Sequence, residues 1–496
     1  MPLPGTLLAS GASEQSFFSL LREGLSMEQW SSRLGFLLAA IGAAVGLGNV
    51  WRFPAVVGSN GGGAYLVPYL IAAFTLAVPL MIMEISVGRS LRADVVTACR
   101  QVDERFEVVG WLVGGSVLAV LSYYLVIAGW VLAFLAGMAT GSATTFEGLT
   151  STYRPLAFFL VTTLAVGAIV SLGVTSGIER MAKLLVPLVF LILVGMLVYV
   201  ATLPGFSDGV RFFLTPDLSV LTDPLLWSAA FGQVFFSFSV GMGVLLTYGS
   251  YLGAHESVPR ASVMIAVADL AVAMLAGLVI FGIVFSFGLE PTMGTELAFV
   301  TLPAAFEAMP FGTAVGLLFF GLLFVAAIAP SVSMLEVGVA AALRTTDWSR
   351  RTASVVVTGL ILLAGLPSAL SYSAFELAVL GRPFLDVIDS TVGTLGLPLS
   401  AIALVAIFAW YQPTATVREQ LGTSIVVPLV KYVVPTVLLV VMALRFLRGV
   451  GTIAWRRTPD LAVVAAGYSV VALTGIALLV AALGVAVRRR RRRRTA

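Results

Sequence analysis

Runs of about twenty apolar residues, the length a helix needs to cross a hydrocarbon core, recur along this chain between short polar or Pro/Gly-rich breaks. The pattern predicts twelve spans, at 34–57, 63–88, 111–138, 155–173, 181–203, 226–250, 261–287, 312–342, 352–371, 384–411, 425–447 and 462–487. Strict apolar/polar alternation is absent, so an outer-membrane barrel does not fit. The expected class is an all-α integral membrane protein. Composition agrees: with 59% apolar and 11% charged residues and a mean hydropathy of +1.03, the chain is too apolar for a water-soluble core to hide.

Charge then orients the spans. With the N-terminus inside, Arg89, Arg92, Arg100 and Arg105 fall in one inner loop and Arg344, Arg350 and Arg351 in another, while Arg488–Arg494 follows the last span. This obeys the positive-inside rule and places both termini in the cytoplasm. Arg445, Arg448, Arg456 and Arg457 are the exception, since they would lie outside after span 11. The seven-arginine tail directly follows an apolar helix and has no interleaved aromatics, which reads as an anchor to anionic lipids rather than a nucleic-acid site. Residues 1–26 lack the layout of a cleaved signal, and SFFSLLREGL suits the membrane interface. Cys99 and His255 are each the only residue of their type, so a disulfide within the chain, a Cys/His metal site or a Cys/His nucleophile pair has no raw material. No nucleophile and base share a plausible site, and an enzyme is not expected.

Two spans are interrupted. Span 1 breaks around Gly46, Leu47, Gly48 and Asn49, and span 6 around Ser239, Val240, Gly241, Met242 and Gly243. Gly42 and Gly46 alone form a GxxxG pair, which ordinarily signals close helix packing. Breaks five spans apart change that reading: an odd offset reverses the chain direction, so spans 1–5 and 6–10 form an inverted repeat. Unwound backbone at mid-membrane is tolerated where it lines a cavity, and its amides and carbonyls can hold anions and cations.

The stretches WSSRLGFLLAAIGAAVGLGNVWRFP, NGGGAYLVPY, MEISVGR, TSGIERMAKLLVPL, GQVFFSFSVGMG and FLDVID resemble the neurotransmitter:sodium symporters, in their prokaryotic amino-acid branch, from Trp30 to about Asp389. The resemblance implies a LeuT-like fold. Its parts would be a cytoplasmic segment 1–29, five-helix repeats 30–205 and 206–412, two added spans 413–487 and the basic tail 488–496. It implies that the Leu47 and Gly48 amides and the Tyr124 hydroxyl hold a substrate carboxylate, and that carbonyls near Phe236 and Ser239 take the ammonium. Ala43, Val120, Phe236, Ser239, Met242 and Met334 would line the side-chain pocket. Gly46 stands where monoamine carriers have an aspartate, so the substrate should bring its own carboxylate. Tyr124 and the pocket residues also suit plain helix packing.

A first sodium ion would take Ala44, Asn49, Ser237 and Asp269, hard oxygen ligands for a hard cation. Asp269 stands out without any resemblance, because a carboxylate inside a span is a functional candidate by default, with a hydrogen bond between helices as its structural alternative. Chloride-dependent relatives have Asn there and Ser one turn on, where this chain has Ala273; a fixed charge at Asp269 would make chloride redundant beside Tyr69, Gln233 and Ser237. A second sodium site would rest on the carbonyls of Gly42, Val45 and Ala326, since Ala329 and Pro330 replace two hydroxyl ligands. Arg52 and Asp389 would form an outer gate that pairs on closure, with a permanent ion pair as the alternative. At the inner gate Met27 and Arg344 replace the family's Arg/Asp pair. The function implied is sodium-coupled symport of a neutral apolar or aromatic amino acid. A proton-coupled carrier titrating Asp269 and a non-transporting amino-acid sensor stand as alternatives.

Overall fold

The computed structural model describes residues 28–142, 144–253, 256–289, 296–379 and 381–443. Met27, His255, span 12 and the arginine tail lie outside them. Among the described residues nine unbroken helices are long and apolar enough to cross a membrane. They are Gly62–Leu91 (span 2), Glu104–Thr140 (span 3), Arg154–Ser171 (span 4), Val174–Val200 (span 5), Val258–Ser286 (span 7), Gly312–Thr345 (span 8), Arg350–Ser371 (span 9), Phe384–Tyr411 (span 10) and Val426–Ala443 (span 11). Spans 1 and 6 are interrupted, as the glycine pattern predicts. Arg33–Ala44 and Gly48–Ser59 meet at 49°, while Pro224–Ser237 and Val244–Ser250 flank the second break.

The breaks differ from the expected positions in detail. Span 1 resumes at Gly48 rather than past Asn49, in a widened turn where the Phe53 amide donates to the Gly48 carbonyl five residues back. Span 6 already leaves its helix at Phe238. Gly241 and Gly243 then take φ of 78° and 70°, and Ser239 takes 51°. That region penalises a Cβ, so the serine needs outside support. It has one: Ser239 Oγ donates to the Ala43 carbonyl at 2.7 Å, tying the two breaks together.

Span 3 runs seven residues further towards its N-terminus than hydropathy suggests, because the polar-flanked stretch from Glu104 continues the same helix. Spans 3 and 8 pack along each other at the centre, and span 7 packs on both halves of span 1. A two-residue hairpin, Ala378–Val379 against Arg382–Pro383, precedes span 10. The end of the bundle carrying Arg52 and Asp389 is called outer, and the end carrying Arg89, Arg344 and Arg350 inner, after the loop charges.

Candidate functional site

Between the two breaks three polar side chains converge with no exposure to solvent. Asn49 Nδ2 donates to Asp269 Oδ1 at 2.7 Å and to Ser237 Oγ at 2.9 Å, and Ser237 Oγ donates to Asp269 Oδ2 at 3.0 Å. All three are fully buried, so the carboxylate depends on these donors. Asn49 Oδ1 accepts from the Gly46 amide at 3.0 Å, fixing the first break from the inside. Tyr69 joins the cluster through its hydroxyl, 3.4 Å from Ser237 Oγ, and Ala273 is buried. Gln233 Nε2 donates to the Gly48 carbonyl at 2.8 Å, the oxygen that also accepts from the Phe53 amide in the widened turn.

Two residues before Asn49, the Leu47 amide donates to the Tyr124 hydroxyl oxygen at 3.2 Å. The tyrosine keeps its own O–H for another acceptor. Leu47, Tyr124 and Phe236 line a cavity of ≈ 260 Å³ together with Trp51, Tyr123, Asp386 and the expected gate residues Arg52 and Asp389. Ala43, Gly48, Val120, Ser239, Met242 and Met334 do not line it, although all six are buried. A Cβ on Gly48 would come within 2.9 Å of the Phe236 ring, so glycine there permits the close approach.

Arg52 and Asp389 share this cavity without an ion pair within 4.0 Å. The Arg52 guanidinium lies 4.4 Å from the Phe236 ring centroid, and Asp389 Oδ1 accepts from Tyr123 at 2.8 Å. On the other side of span 1, Gly42 packs against Ala329, and a Cβ at Gly46 would meet Pro330 Cγ at 2.9 Å. Ala326 contributes its carbonyl 3.7 Å from that same point. Val45 is buried beside them, its amide bonded to Ile41. The second group of expected ligands is thus adjacent, but walled by a methyl group and a proline ring.

Two features escaped the sequence reading. Glu84 of span 2 is buried and accepts from the Gly241 amide at 2.5 Å, so it holds the unwound part of span 6. The rule that singled out Asp269, a carboxylate inside a span, applies equally to Glu84 and would have found it. At the inner end Arg350 holds Glu336 with two hydrogen bonds of 2.8 Å and reaches Glu28 at 2.6 Å. Tyr251 donates to Glu336 at 2.6 Å, and the Trp30 indole donates to the Tyr248 carbonyl at 3.0 Å. Burial, opposed by Arg350 and reinforced by the neighbouring Glu336, lifts Glu28 above its ordinary 4.5. Arg344 is engaged elsewhere, 3.8 Å from Asp94.

Comparison with known proteins identifies the family. The profile of the sodium:neurotransmitter symporter family matches residues 27–153 and 143–454. The chain belongs to that family. It is 32% identical over 445 residues to an uncharacterized sodium-dependent transporter of Haemophilus influenzae, spanning 84% of this chain and 97% of the relative. A second uncharacterized sodium-dependent transporter, from Bacillus subtilis, is 35% identical over 397 residues, spanning 77% and 87%. Among solved structures, that of MhsT in complex with L-phenylalanine superposes with a TM-score of 0.78 at 37% identity, covering 84% of this chain and 99% of MhsT. This member of the family is a multi-pass membrane transporter with the LeuT-like architecture.

Proposed function

We propose that this chain is a sodium-coupled symporter that carries a neutral apolar or aromatic amino acid inward across a prokaryotic plasma membrane, by alternating access and without chloride, with both termini in the cytoplasm. The observation that carries the reading is the buried Asn49, Ser237 and Asp269 cluster, two residues along the chain from the Leu47–Tyr124 pair. Sodium enters between Asp269, Ser237 and the Ala44 carbonyl, and the Asn49 amide turns so that its oxygen, not its nitrogen, faces the ion. The substrate carboxylate completes that shell while the Leu47 and Gly48 amides and the Tyr124 O–H hold it, and the carbonyls near Phe236 and Ser239 receive its ammonium. Ion and carboxylate each relieve the other's desolvation, so neither occupies the site well alone. The uncharged set Ala43, Val120, Phe236, Ser239, Met242 and Met334 favours an apolar side chain, and the methionines adapt to its shape. The phenylalanine in MhsT supports the same class of substrate.

The Gly42, Val45 and Ala326 carbonyls lack hydroxyl partners at Ala329 and Pro330, which supports one sodium ion per substrate. Purified protein in proteoliposomes tests the whole reading. Uptake of labelled phenylalanine, leucine and tryptophan should follow an imposed sodium gradient in chloride-free buffer, with a hyperbolic sodium dependence. Uptake driven by a proton gradient without sodium would transfer the coupling to Asp269 as a titrating group, and saturable binding without accumulation would make the chain a sensor. Asp269→Asn should impair uptake in chloride-free buffer and recover in part when chloride is added.

A further inference from the structure

The turn between spans 8 and 9, residues 346–349, is flanked by two arginines that the transport site does not use. Arg350, the first residue of span 9, holds Glu336 and Glu28. Arg344, in the last turn of span 8, places its Nε 3.8 Å from Asp94 Oδ2. Asp94 is fully buried. Its Oδ1 caps the helix Val95–Val102, accepting from the Val96 amide at 2.9 Å and the Thr97 amide at 3.3 Å, while its Oδ2 has no hydrogen bond. One oxygen of this carboxylate is thus committed to its own helix, and the other is turned to a guanidinium just beyond hydrogen-bond reach. A buried carboxylate oxygen without a donor is costly, so the positive charge beside it is its compensation.

Asp94 stands at the corner that carries the second break. Span 2 ends at Leu91, and the helix Val95–Val102 follows directly after Asp94. A Cβ on Gly243 would meet Val95 Cβ at 3.0 Å, so the residue after Asp94 rests on the unwound part of span 6, whose Gly241 amide is held by Glu84 of span 2. The same short helix packs on spans 3 and 8. Arg344 therefore joins span 8 to the corner beneath the span 6 break, as Arg350 joins span 9 to the segment before span 1. Each joint has its arginine beside the turn and its carboxylate on the element that leads to a broken span.

We infer that Arg344 and Asp94 form a second inner clasp, which holds the inner end shut through the corner beneath the span 6 break. This rests on the alternating access of the proposed function. Met27 and Arg344 stand where the resemblance places the usual inner pair, so closure here draws its carboxylate from a different element, the loop after span 2. The two clasps differ in strength. Arg350 makes hydrogen bonds of 2.8 Å to Glu336, whereas Arg344 stands off at 3.8 Å and is 26% exposed, which makes the Asp94 clasp the cheaper to part.

A double-mutant cycle read by amide hydrogen exchange of the full-length protein tests the clasp. Asp94→Asn removes the charge but keeps the helix cap, since asparagine caps as well as aspartate. Arg344→Gln removes the other partner at a partly exposed position. Each should speed exchange about three-fold, the scale of one partly exposed ion pair, and do so together across residues 238–250 and 28–36, because both clasps meet at one turn. The double variant should exchange no faster than the faster single one, and Arg344→Lys should stay near wild type. Unchanged exchange in Arg344→Gln would overturn the proposal even if Asp94→Asn folds poorly. So would additive effects in the double variant, or a rise confined to residues 95–102, which would reduce Asp94 to a helix cap. Failure of the transport reading shows separately, as the absence of sodium-driven uptake by the wild type in proteoliposomes.

Discussion

The two ends of the bundle each place one arginine at a passage, and the two arginines are treated in opposite ways. At the outer end Arg52 rests on the Phe236 ring while Asp389 is held by Tyr123 across a ≈ 260 Å³ cavity. At the inner end Arg350 grips two carboxylates, Glu336 and Glu28, within 2.8 Å. Charges left apart across a cavity contribute little, whereas a buried guanidinium shared by two carboxylates is costly to break. Under the proposed alternating access, the inner end is the one held by contacts already made, and the outer end is the one whose charged pair is still to form.

Arg350→Met should have the largest effect, since it strands Glu336 in a buried position. About 3–5 kcal/mol of stability should be lost, seen as a lower Tm, and amide exchange across residues 28–36 should rise as the inner end loosens. A Tm within one or two degrees of wild type would mean that the inner lock lies elsewhere. Arg52→Ala comes next. With Arg52 acting in closure, as the family resemblance implies, transport should fall about ten-fold, roughly 1.4 kcal/mol, with equilibrium substrate binding nearly unchanged. An equal loss in both would turn the outer pair into part of the binding site.

Tyr123→Phe should push the other way by about 1 kcal/mol, releasing Asp389 towards Arg52. Labelling of a cysteine placed in the outer cavity, in a Cys99→Ser background, should slow a few-fold. The smallest effect belongs to Glu28. Its pKa in the folded protein is raised above 4.5, so its contribution to stability is fully present below the unfolded value and is lost as pH rises through the raised one. Thermal unfolding followed upward from pH 4 should show that shallow slope in wild type and not in Glu28→Gln.

The spans among the described residues and both breaks were legible because hydropathy and adjacent glycines are local signals, and Gly241 and Gly243 do take the left-handed backbone that glycine permits. Asp269 was legible for a similar reason: a lone carboxylate in an apolar run needs no partner in sequence to be noticed. The Arg350, Glu336 and Glu28 cluster was not, because its members come from span 9, span 8 and the segment before span 1, and no periodicity links them. The bond from Gln233 to the Gly48 carbonyl was not legible either, because it joins span 6 to the widened turn of span 1, a geometry that residue types alone do not dictate. Apart from Asp269, the placement of ligand residues rested on family resemblance.

The contact between Gly46 and Pro330 also constrains how this protein can change. An aspartate at position 46, the residue that monoamine carriers have there, would drive its Cβ to 2.9 Å from the proline ring and 3.0 Å from the Tyr124 hydroxyl. Mutational paths towards amine substrates therefore have an order. Loss of the ring at position 330 removes the tighter of these contacts and leaves only the Tyr124 hydroxyl to shift, so an aspartate at position 46 should be better tolerated beside alanine than beside proline at position 330 when a library samples both.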